Sequence, residues 1–246
     1  MEQYGQKFYC YATRSSENSA KIISSLVMET LPIRSVADFG CAEGVWLAAW
    51  KSAGATDVQG VDGPWVDLAR LQIDQGDFLS ADLTQPINVG DRQFDLVQSL
   101  EVAEHLPASA AVTFVESLAR HGKVILFSAS PPGQGGENHI NEREYSYWQA
   151  LFAQCGYRMF DFLRPKLLGN PGVQVWYRYN TFLFVHENSV GDLPPDVVAE
   201  EIPANQPIPD VSPTLYRLRK MLVRQLSPRA QVWLARVKSA VAARRP

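Results

Sequence analysis

Short apolar runs that alternate with helical segments constrain the fold of this chain more than any other feature of its sequence. The runs that read as strands lie at 36–39, 58–61, 78–83, 94–100 and 123–129. Segments with helical periodicity lie between them, around 45–53 and 107–121. Because strands that alternate with helices form parallel sheets covered on both faces, this order predicts an α/β fold.

The regions on either side of these runs extend the prediction. Apolar residues at helical spacing predict a helix over 16–31, which Pro32 ends, and a further helix over 145–154. The runs 157–163 and 173–185 have no helical pattern between them. They are therefore expected to pair as an antiparallel hairpin at the edge of the sheet.

Composition and cysteine content exclude several classes of protein. Hydrophobic residues make up 46% and charged residues 20% of the chain, which excludes collagen-like, wholly disordered and coiled-coil proteins. The apolar runs are too short to cross a bilayer, and the first residues lack the basic start and apolar core of a signal peptide. Cys10, Cys41 and Cys155 form no CxxC pair, which argues against a zinc ribbon and agrees with a reducing compartment. We expect a cytoplasmic protein.

Charge is distributed unevenly along the chain. Residues 217–246 contain nine Lys/Arg and no acidic residue, so residues 1–216 carry a net charge of −12. An acidic body of this kind is a poor surface for nucleic acid. The segment 187–213 has six prolines and six acidic residues but no Lys or Arg. It is therefore predicted to be a linker between a domain at 1–186 and a tail at 214–246.

The tail has the pattern of two basic amphipathic helices. Leu215, Leu218 and Leu222 share one helical stripe, and a second helix is predicted from Pro228 onward. Helices of this kind dock on the acidic body of the same chain, dock on a second copy in a homodimer, bind a polyanion, or lie on an anionic membrane surface. The sequence leaves these alternatives open.

The most informative local motif, at 36–44, is a strand followed by a turn of small residues and the start of a helix. Small residues let backbone N–H groups approach a ligand, and the helix N-terminus favours negative charge. Asp62 follows at the end of the next strand, where a carboxylate can accept both hydroxyls of a ribose. Asp82 ends the third predicted strand and is placed for an adenine amino group, with Leu83 and Trp65 beside the ring. Three strand ends therefore predict a nucleoside site.

The glycine pattern distinguishes between nucleoside cofactors. A dinucleotide-binding turn has the pattern G-x-G-x-x-G, whereas this chain has Gly40, Ala42 and Val45 at those positions, which disfavours an NAD-dependent oxidoreductase. The segment instead resembles the first motif of class I S-adenosylmethionine-dependent methyltransferases. Asp38 stands two residues before the first glycine and Gly44 closes the turn, as in that family.

The resemblance extends over about 35–185 and includes Asp62-Gly63, Asp82-Leu83 and the run 94–97. It implies a Rossmann-like, mostly parallel seven-stranded sheet with helices on both faces and an antiparallel edge hairpin. Ala42 departs from the family's usual glycine, and its methyl group is expected to be tolerated. The resemblance also implies that S-adenosylmethionine is bound by Asp38, Phe39, Gly40, Cys41, Ala42, Gly44, Asp62, Gly63, Asp82, Leu83, Ser99 and Leu100.

A cluster of ionisable residues follows the fourth predicted strand. Glu101, Glu104 and His105 are spaced so that one helical turn would bring all three to one face, at the sheet edge where α/β folds bind ligands. Two carboxylates and an imidazole are costly to bury unless a partner neutralises them. A divalent cation would do so, and carboxylate-rich ligation suits Mg²⁺ or Mn²⁺.

This segment resembles the E-x-x-E-H motif of ubiquinone-pathway O-methyltransferases and of small-RNA 2′-O-methyltransferases, where it holds a divalent metal. In the RNA enzymes a further histidine completes the site, and His139 in the loop 131–139 offers one here. The resemblance implies Glu101, Glu104, His105 and His139 as metal ligands, with Glu104, His105 and His139 as catalytic residues. A metal-free alternative, in which His105 alone acts as general base, stays open.

Two aromatic segments leave alternatives open. The segment 133–148 resembles a stretch of bacterial methyltransferases that modify sugars and polysaccharides. Its aromatic residues Tyr145, Tyr147 and Trp148 fit a sugar acceptor, but Tyr147 and Trp148 fit the core face of a helix equally well. The N-terminal aromatics, within 1–31, form either a lid over the cofactor or part of the packing against the sheet. These aromatics are Phe8, Tyr9 and Tyr11.

Together the motifs favour an S-adenosylmethionine-dependent O-methyltransferase that acts on a hydroxyl of a sugar, glycan or related small molecule. The alternatives are 2′-O-methylation of RNA, which the acidic body disfavours, and methylation of a ring hydroxyl. A non-catalytic scaffold with the same fold is a further alternative. A scaffold, however, has no need for several charges at one strand edge.

Overall fold

The computed structural model describes residues 6–227 together with 230 and 234, and side chains from residue 16 onward within these. The α-helices in this part of the chain are α1 (Gln6–Met28), α2 (Val45–Ala53), α3 (Ala111–His121), α4 (Tyr145–Gln154), α5 (Leu163–Leu167), α6 (Val175–Asn180), α7 (Pro195–Val198) and α8 (Thr214–Arg224). The strands are β1 (Ser35–Phe39), β2 (Asp57–Asp62), β3 (Phe78–Ser80), β4 (Leu96–Leu100), β5 (Val124–Ser128), β6 (Tyr157–Phe160), β7 (Phe182–His186) and β8 (Glu201–Ile202).

These strands form one mixed sheet in the order β3-β2-β1-β4-β5-β7-β6-β8. The first five are parallel, whereas β7 pairs antiparallel with β5, β6 with β7 and β8 with β6. The predicted α/β class and antiparallel edge are confirmed, with eight strands in the described residues where seven were expected. The chain order reverses between β1 and β4, and a crevice for ligands opens at the carboxyl ends of strands on either side of such a point.

Apolar side chains cover both faces of the sheet. On one face, Ile23 of α1 and Trp50 of α2 are fully buried, and on the other Phe114 of α3 and Phe152 of α4 are fully buried. Burying a side chain of this size stabilises a fold by roughly 1.5–3 kcal/mol. Helices on both faces therefore hold the sheet rigidly and fix the positions of its strand ends.

The prediction of one strand over 173–185 is wrong. The structure places α6 in its first part and β7 only from Phe182, and α5 also precedes α6, so the edge hairpin has two helices within its connection. Tyr177 of α6 packs edge-on against Trp46, with ring centroids 5.0 Å apart, and its hydroxyl forms a 2.8 Å hydrogen bond with Ser16. Packing against α1 and α2 therefore overrides the strand propensity of these aromatic residues.

The segment 187–213 is not a linker. Its Val197 is fully buried in the core, and Ile202 of β8 pairs with Met159 of β6. The Glu200 carbonyl also accepts a 2.8 Å hydrogen bond from the Asp161 N–H. With its composition, the segment 187–213 buries too little apolar surface to fold alone. The open edge of β6 supplies the hydrogen-bond partners that the segment lacks by itself.

Both ends of the chain extend beyond what the structure describes. Phe8, Tyr9 and Tyr11 fall within α1, but their side chains lie outside the described residues. The second tail helix, predicted from Pro228, is described only at residues 230 and 234. In the described part of the chain, no helix combines the length and apolarity that a bilayer crossing requires.

Candidate active site

The turn between β1 and α2 has a backbone shape that depends on small residues. Gly40, Ala42 and Gly44 all have positive φ angles, of 94°, 48° and 81°. A Cβ at Gly40 would overlap the side chain of Val102, which lies against the turn. Left-handed backbone is unfavourable for a residue with a Cβ, so Ala42 needs local support. Asp62 provides it, since its Oδ2 accepts a 2.8 Å hydrogen bond from the Ala42 N–H.

Asp62 links this turn to the end of β2. Its Oδ1 accepts a 2.6 Å hydrogen bond from the Gly63 N–H. Burial raises the pKa of the Asp62 carboxyl, while the hydrogen bonds from Gly63 and Ala42 act in the opposite direction. The carboxylate therefore organises the turn at the same edge where the predicted ribose would bind.

The turn has a second anchor that the sequence analysis missed. Glu43 is buried, and its Oε1 lies 2.9 Å from Nε of Arg70, while its backbone carbonyl accepts a 2.8 Å hydrogen bond from the Gln72 N–H. These contacts fasten the turn to the loop after β2. The sequence feature that could have indicated this anchor is Glu43 itself, a charged residue among the small and apolar residues that end the motif 36–44.

The third predicted strand end differs from expectation. Because β3 ends at Ser80, Asp82 lies in the turn that follows the strand, where its Oδ1 accepts hydrogen bonds of 2.9 and 2.8 Å from the N–H and Oγ1 of Thr84. Asp82 is exposed, whereas Leu83 is buried in the core. Asp82 is therefore the accessible member of the pair predicted to bind adenine.

The other predicted cofactor-binding side chains are buried beneath the turn: Asp38, Phe39, Cys41, Ser99 and Leu100. Ser99 Oγ donates a 2.8 Å hydrogen bond to the Phe39 carbonyl and so ties β4 to β1. Burial raises the pKa of Asp38 to about 7, and the negative charge of Asp62 adds to the rise. Burial likewise raises the pKa of the Cys41 thiol. Because they are buried, these five side chains support the turn that borders the crevice.

Replacing Asp62 by alanine is expected to weaken binding of S-adenosylhomocysteine, the demethylated product, at least tenfold. The substitution removes the predicted acceptor of the ribose hydroxyls and leaves the Ala42 N–H without its partner, and a hydrogen bond to a charged group contributes about 1.5–3 kcal/mol. Calorimetric titration measures the change. Asp91→Ala is the matched control, because Asp91 is exposed in the loop before β4, at the opposite sheet edge. Equal affinity of Asp62→Ala and Asp91→Ala would contradict the assigned role.

The reaction side of the crevice begins where β4 ends. Glu101 has a positive φ of 56° and precedes the 3₁₀ turn Ala103–His105, so it does not share a helical face with Glu104 and His105 as predicted. Its N–H instead donates to the Ser128 carbonyl of β5 at 3.0 Å. The reversal of the backbone at Glu101 turns its carboxylate toward the adjacent loops.

The Glu101 carboxylate is held by amide and hydroxyl donors. Its Oε2 accepts hydrogen bonds of 2.7 Å from Gln134 and 3.2 Å from Ser130, and its Oε1 accepts one of 3.2 Å from Asn180. Asn180 also donates a 2.8 Å hydrogen bond to Gln134 Oε1 and accepts one of 2.8 Å from Tyr145. Burial raises the pKa of Glu101, and the hydrogen bonds from Asn180 and Gln134 offset only part of this rise. Asn180 was not predicted as a site residue, because it lies within the segment 173–185 that was predicted to be a strand.

Glu104 is the least satisfied acid in the described part of the chain. It is fully buried, and neither carboxylate oxygen has a hydrogen-bond partner among the described residues. Burial raises the pKa of Glu104 well above its usual range, and the negative charge of Glu101 raises it further. A buried carboxylate without donors is costly unless a cation accompanies it.

His105 and His139 lie beside Glu104. One ligand atom from each of these three residues falls within 4.8 Å of the others, and the two rings meet edge-on with centroids 4.7 Å apart. The 131–139 loop comes close because the N–H groups of Ile140 and Asn141 donate to the Glu104 carbonyl, at 2.9 and 3.0 Å. The structure therefore brings together three of the four predicted ligands, with Glu101 alongside.

Both imidazoles are oriented through Nδ1. The His105 Nδ1 lies 3.3 Å from the Asn138 carbonyl, and the His139 Nδ1 lies 2.9 Å from Glu142 Oε1. Because these partners accept hydrogen bonds, the contacts favour the neutral tautomer with the proton on Nδ1 and the lone pair on Nε2, the form in which imidazole binds a metal. Burial lowers the pKa of His105 to about 3, and neighbouring His139 adds to the lowering. A histidine with this pKa is a weak general base.

Glu142 positions this loop, a role that the sequence analysis did not assign. Besides His139, it accepts hydrogen bonds from the N–H groups of Gly133 and Gly135, at 2.8 and 2.7 Å. A Cβ at Gly136 would overlap the His139 ring. The glycines of the loop could have indicated this packing from the sequence, because glycine occurs where a side chain would prevent two parts of the chain from lying close together.

The aromatic residues after the loop belong largely to the core. Tyr145 and Trp148 are buried, and Trp148 packs on Phe127 with ring centroids 5.3 Å apart. Tyr147 is partly exposed and lies beneath the guanidinium of Arg143, 5.1 Å from its ring centroid. The core alternative therefore holds for Tyr145 and Trp148, and neither is a sugar platform.

Comparison with known proteins adds to this geometry. Residues 37–126 match a family described as a methyltransferase domain. No curated protein matches the sequence.

Several solved structures share the fold. The sugar N-methyltransferase KedS8 from Streptoalloteichus sp. is 18% identical, with a TM-score of 0.57 over 76% of this chain and 96% of that one. An O-methyltransferase family protein from Burkholderia thailandensis is 18% identical, with a TM-score of 0.57 over 73% of this chain and 58% of that one. Magnesium protoporphyrin IX methyltransferase from Synechocystis, solved with bound S-adenosylmethionine, is 18% identical, with a TM-score of 0.52 over 72% of this chain and 81% of that one.

Proposed function

We propose that this chain is an S-adenosylmethionine-dependent methyltransferase, as the match of residues 37–126 to a methyltransferase domain indicates, and that it methylates a hydroxyl of a sugar, glycan or related small molecule with the help of Mg²⁺ or Mn²⁺. Glu104, His105 and His139 would hold the metal, with Glu101 beside them. When bound, the cation would polarise the acceptor hydroxyl and lower its pKa.

The observation that carries the proposal is the environment of Glu104. Its carboxylate is fully buried without a hydrogen-bond donor among the described residues, and two imidazoles with oriented Nδ1 atoms lie beside it. The donor set of one carboxylate and two neutral imidazoles fits a divalent cation, which would neutralise the acid. A bound cation would offset the cost of burying that charge, which the raised pKa of Glu104 reflects.

The geometry also favours a hydroxyl as the acceptor. Methyl transfer from a sulfonium is an in-line displacement, and an alcohol reacts only when its proton is removed, whereas an amine has a reactive lone pair near neutral pH. The cluster follows β4 and the cofactor turn follows β1, and these strands are neighbours in the sheet. Donor and acceptor would therefore meet at one edge, next to the cluster whose cation would lower the pKa of an alcohol.

The charge of the chain and one structural relative favour a sugar acceptor over RNA. The net charge of −12 over residues 1–216 disfavours a polyanion such as RNA. KedS8, which shares the fold, is described as a sugar N-methyltransferase, which supports a sugar as the acceptor but not the choice of a hydroxyl over an amine.

Methyl transfer from radiolabelled S-adenosylmethionine to a panel of acceptors tests the proposal. The panel contains nucleotide sugars and short glycans, their amino-sugar counterparts, catechols and an RNA transcript. We expect transfer to hydroxyls of the sugars, its loss after treatment with a chelator, and its recovery on addition of Mg²⁺ or Mn²⁺. Full activity after thorough chelation would contradict the metal, and transfer confined to amines, catechols or RNA would contradict the acceptor.

A further inference from the structure

The C-terminal helix α8 packs on the body through its polar face. Its apolar stripe faces solvent, with Leu215, Leu218, Met221 and Leu222 exposed by 81%, 51%, 66% and 63%. Leu226, just beyond the helix, is also exposed. Monomeric proteins rarely expose a row of large apolar side chains on one face, so this stripe marks an interaction surface.

Polar contacts of the opposite face hold the helix in this orientation. Lys220 is buried and its Nζ lies 2.6 Å from Asp210, while Arg219 donates a 2.9 Å hydrogen bond to the Gln134 carbonyl. Val223 is also buried, and Arg224 lies 3.2 Å from Glu144. Rotating the helix to bury its leucines would break these contacts and bury basic side chains, so the exposed stripe is built into the packing.

Charge around the stripe identifies what covers it. Arg217 and Arg224 are exposed on α8, and residues 228–246 add five Lys/Arg without an acidic residue. The other large apolar side chains exposed in the described residues belong to other parts of the chain: Leu68, Val112, Ile140, Leu168 and Leu234. A second copy of the helix would oppose like charges across the contact. An apolar stripe with basic flanks is complementary to the acyl boundary and headgroups of an anionic bilayer.

We propose that α8 is a peripheral membrane anchor, which inserts Leu215, Leu218, Met221 and Leu222 into the surface of an anionic lipid bilayer. Its inner face lies on Gly133–Gly135, the start of the loop that carries His139. Binding would therefore hold the His139 loop close to the lipid surface. The inference stands on the helix itself and does not depend on the identity of the methyl acceptor.

Vesicle co-sedimentation of the full chain tests the proposal. The probes are vesicles of phosphatidylglycerol mixed with phosphatidylcholine and vesicles of phosphatidylcholine alone. We expect binding to the anionic vesicles that weakens as salt rises, and little binding to the neutral ones. The triple variant L218Q/M221Q/L222Q should bind at least about tenfold more weakly, because it removes apolar groups that would enter the acyl boundary.

Val112→Gln is the matched control, since Val112 is an exposed apolar residue on α3, and it should bind like the wild type. Thermal unfolding checks that the triple variant is folded, as expected for changes at exposed positions. Absence of wild-type binding to anionic vesicles, or unchanged binding by the triple variant, would overturn the proposal. So would a dimer, detected by light scattering, that the triple variant dissociates, because the stripe would then be a self-association surface.

Discussion

Glu104→Gln is expected to lower the rate of methyl transfer by about 10²–10⁴-fold, the range typical of losing a group that activates a proton-bearing nucleophile. Glutamine has nearly the same shape as glutamate but carries no charge, so the buried cluster with His105 and His139 would lose its anionic ligand. Titration with Mn²⁺ should show much weaker metal binding, whereas S-adenosylhomocysteine should bind as in the wild type. Wild-type turnover by this variant would exclude Glu104 from the reaction.

A matched substitution and a stability measurement separate this effect from misfolding. Glu116→Gln makes the same chemical change at an exposed position of α3 and should leave activity unchanged. Without metal, Glu104→Gln should be more stable than the wild type as pH rises above about 4.5, the ordinary pKa of glutamate. Burial raises the pKa of Glu104 in the folded state, so above this pH the folded wild type keeps a proton that the unfolded chain has lost. The free energy of unfolding of the wild type therefore falls as pH rises, whereas the glutamine of the variant has no proton to lose. A variant that gains stability and loses activity identifies a functional residue.

Arg164→Ala is expected to lower the free energy of unfolding by about 3–5 kcal/mol, the cost of leaving a buried charge without its partner. Arg164 is fully buried and forms two 2.7 Å hydrogen bonds with the Asp161 carboxylate. It also donates a 3.0 Å hydrogen bond to the Pro209 carbonyl, and its guanidinium lies 4.0 Å from the Phe182 ring centroid. The substitution therefore removes the charge that balances Asp161 and one of the contacts that holds the 187–213 segment on the sheet.

Urea denaturation measures this loss, and Arg158→Ala provides the comparison. Arg158 forms an ion pair with Glu201 of β8, but it is exposed, so its removal should cost no more than about 1 kcal/mol. A loss below about 1 kcal/mol for Arg164→Ala as well would show that the buried pair contributes little to stability.

The sequence by itself determined the fold class and the cofactor turn. Apolar runs of strand length and helical spacing are local patterns, and the parallel sheet follows from their order. The turn at Gly40 and Gly44 is also local, because its positive φ angles require residues with small or absent side chains. Glu104, His105 and His139 were predicted by resemblance to a known motif, and the structure brings their side chains together.

Only the tertiary structure decided how distant segments meet. Glu101 leaves the helical face because contacts from Ser130, Gln134 and Asn180 hold its carboxylate elsewhere. The 187–213 segment folds because the edge of β6 and the buried guanidinium of Arg164 supply partners that its own composition lacks. The leucines of α8 face solvent because its basic residues find carboxylates and carbonyls on the body. Periodicity reveals that a helix has two faces, but which face is buried depends on partners far away in the sequence.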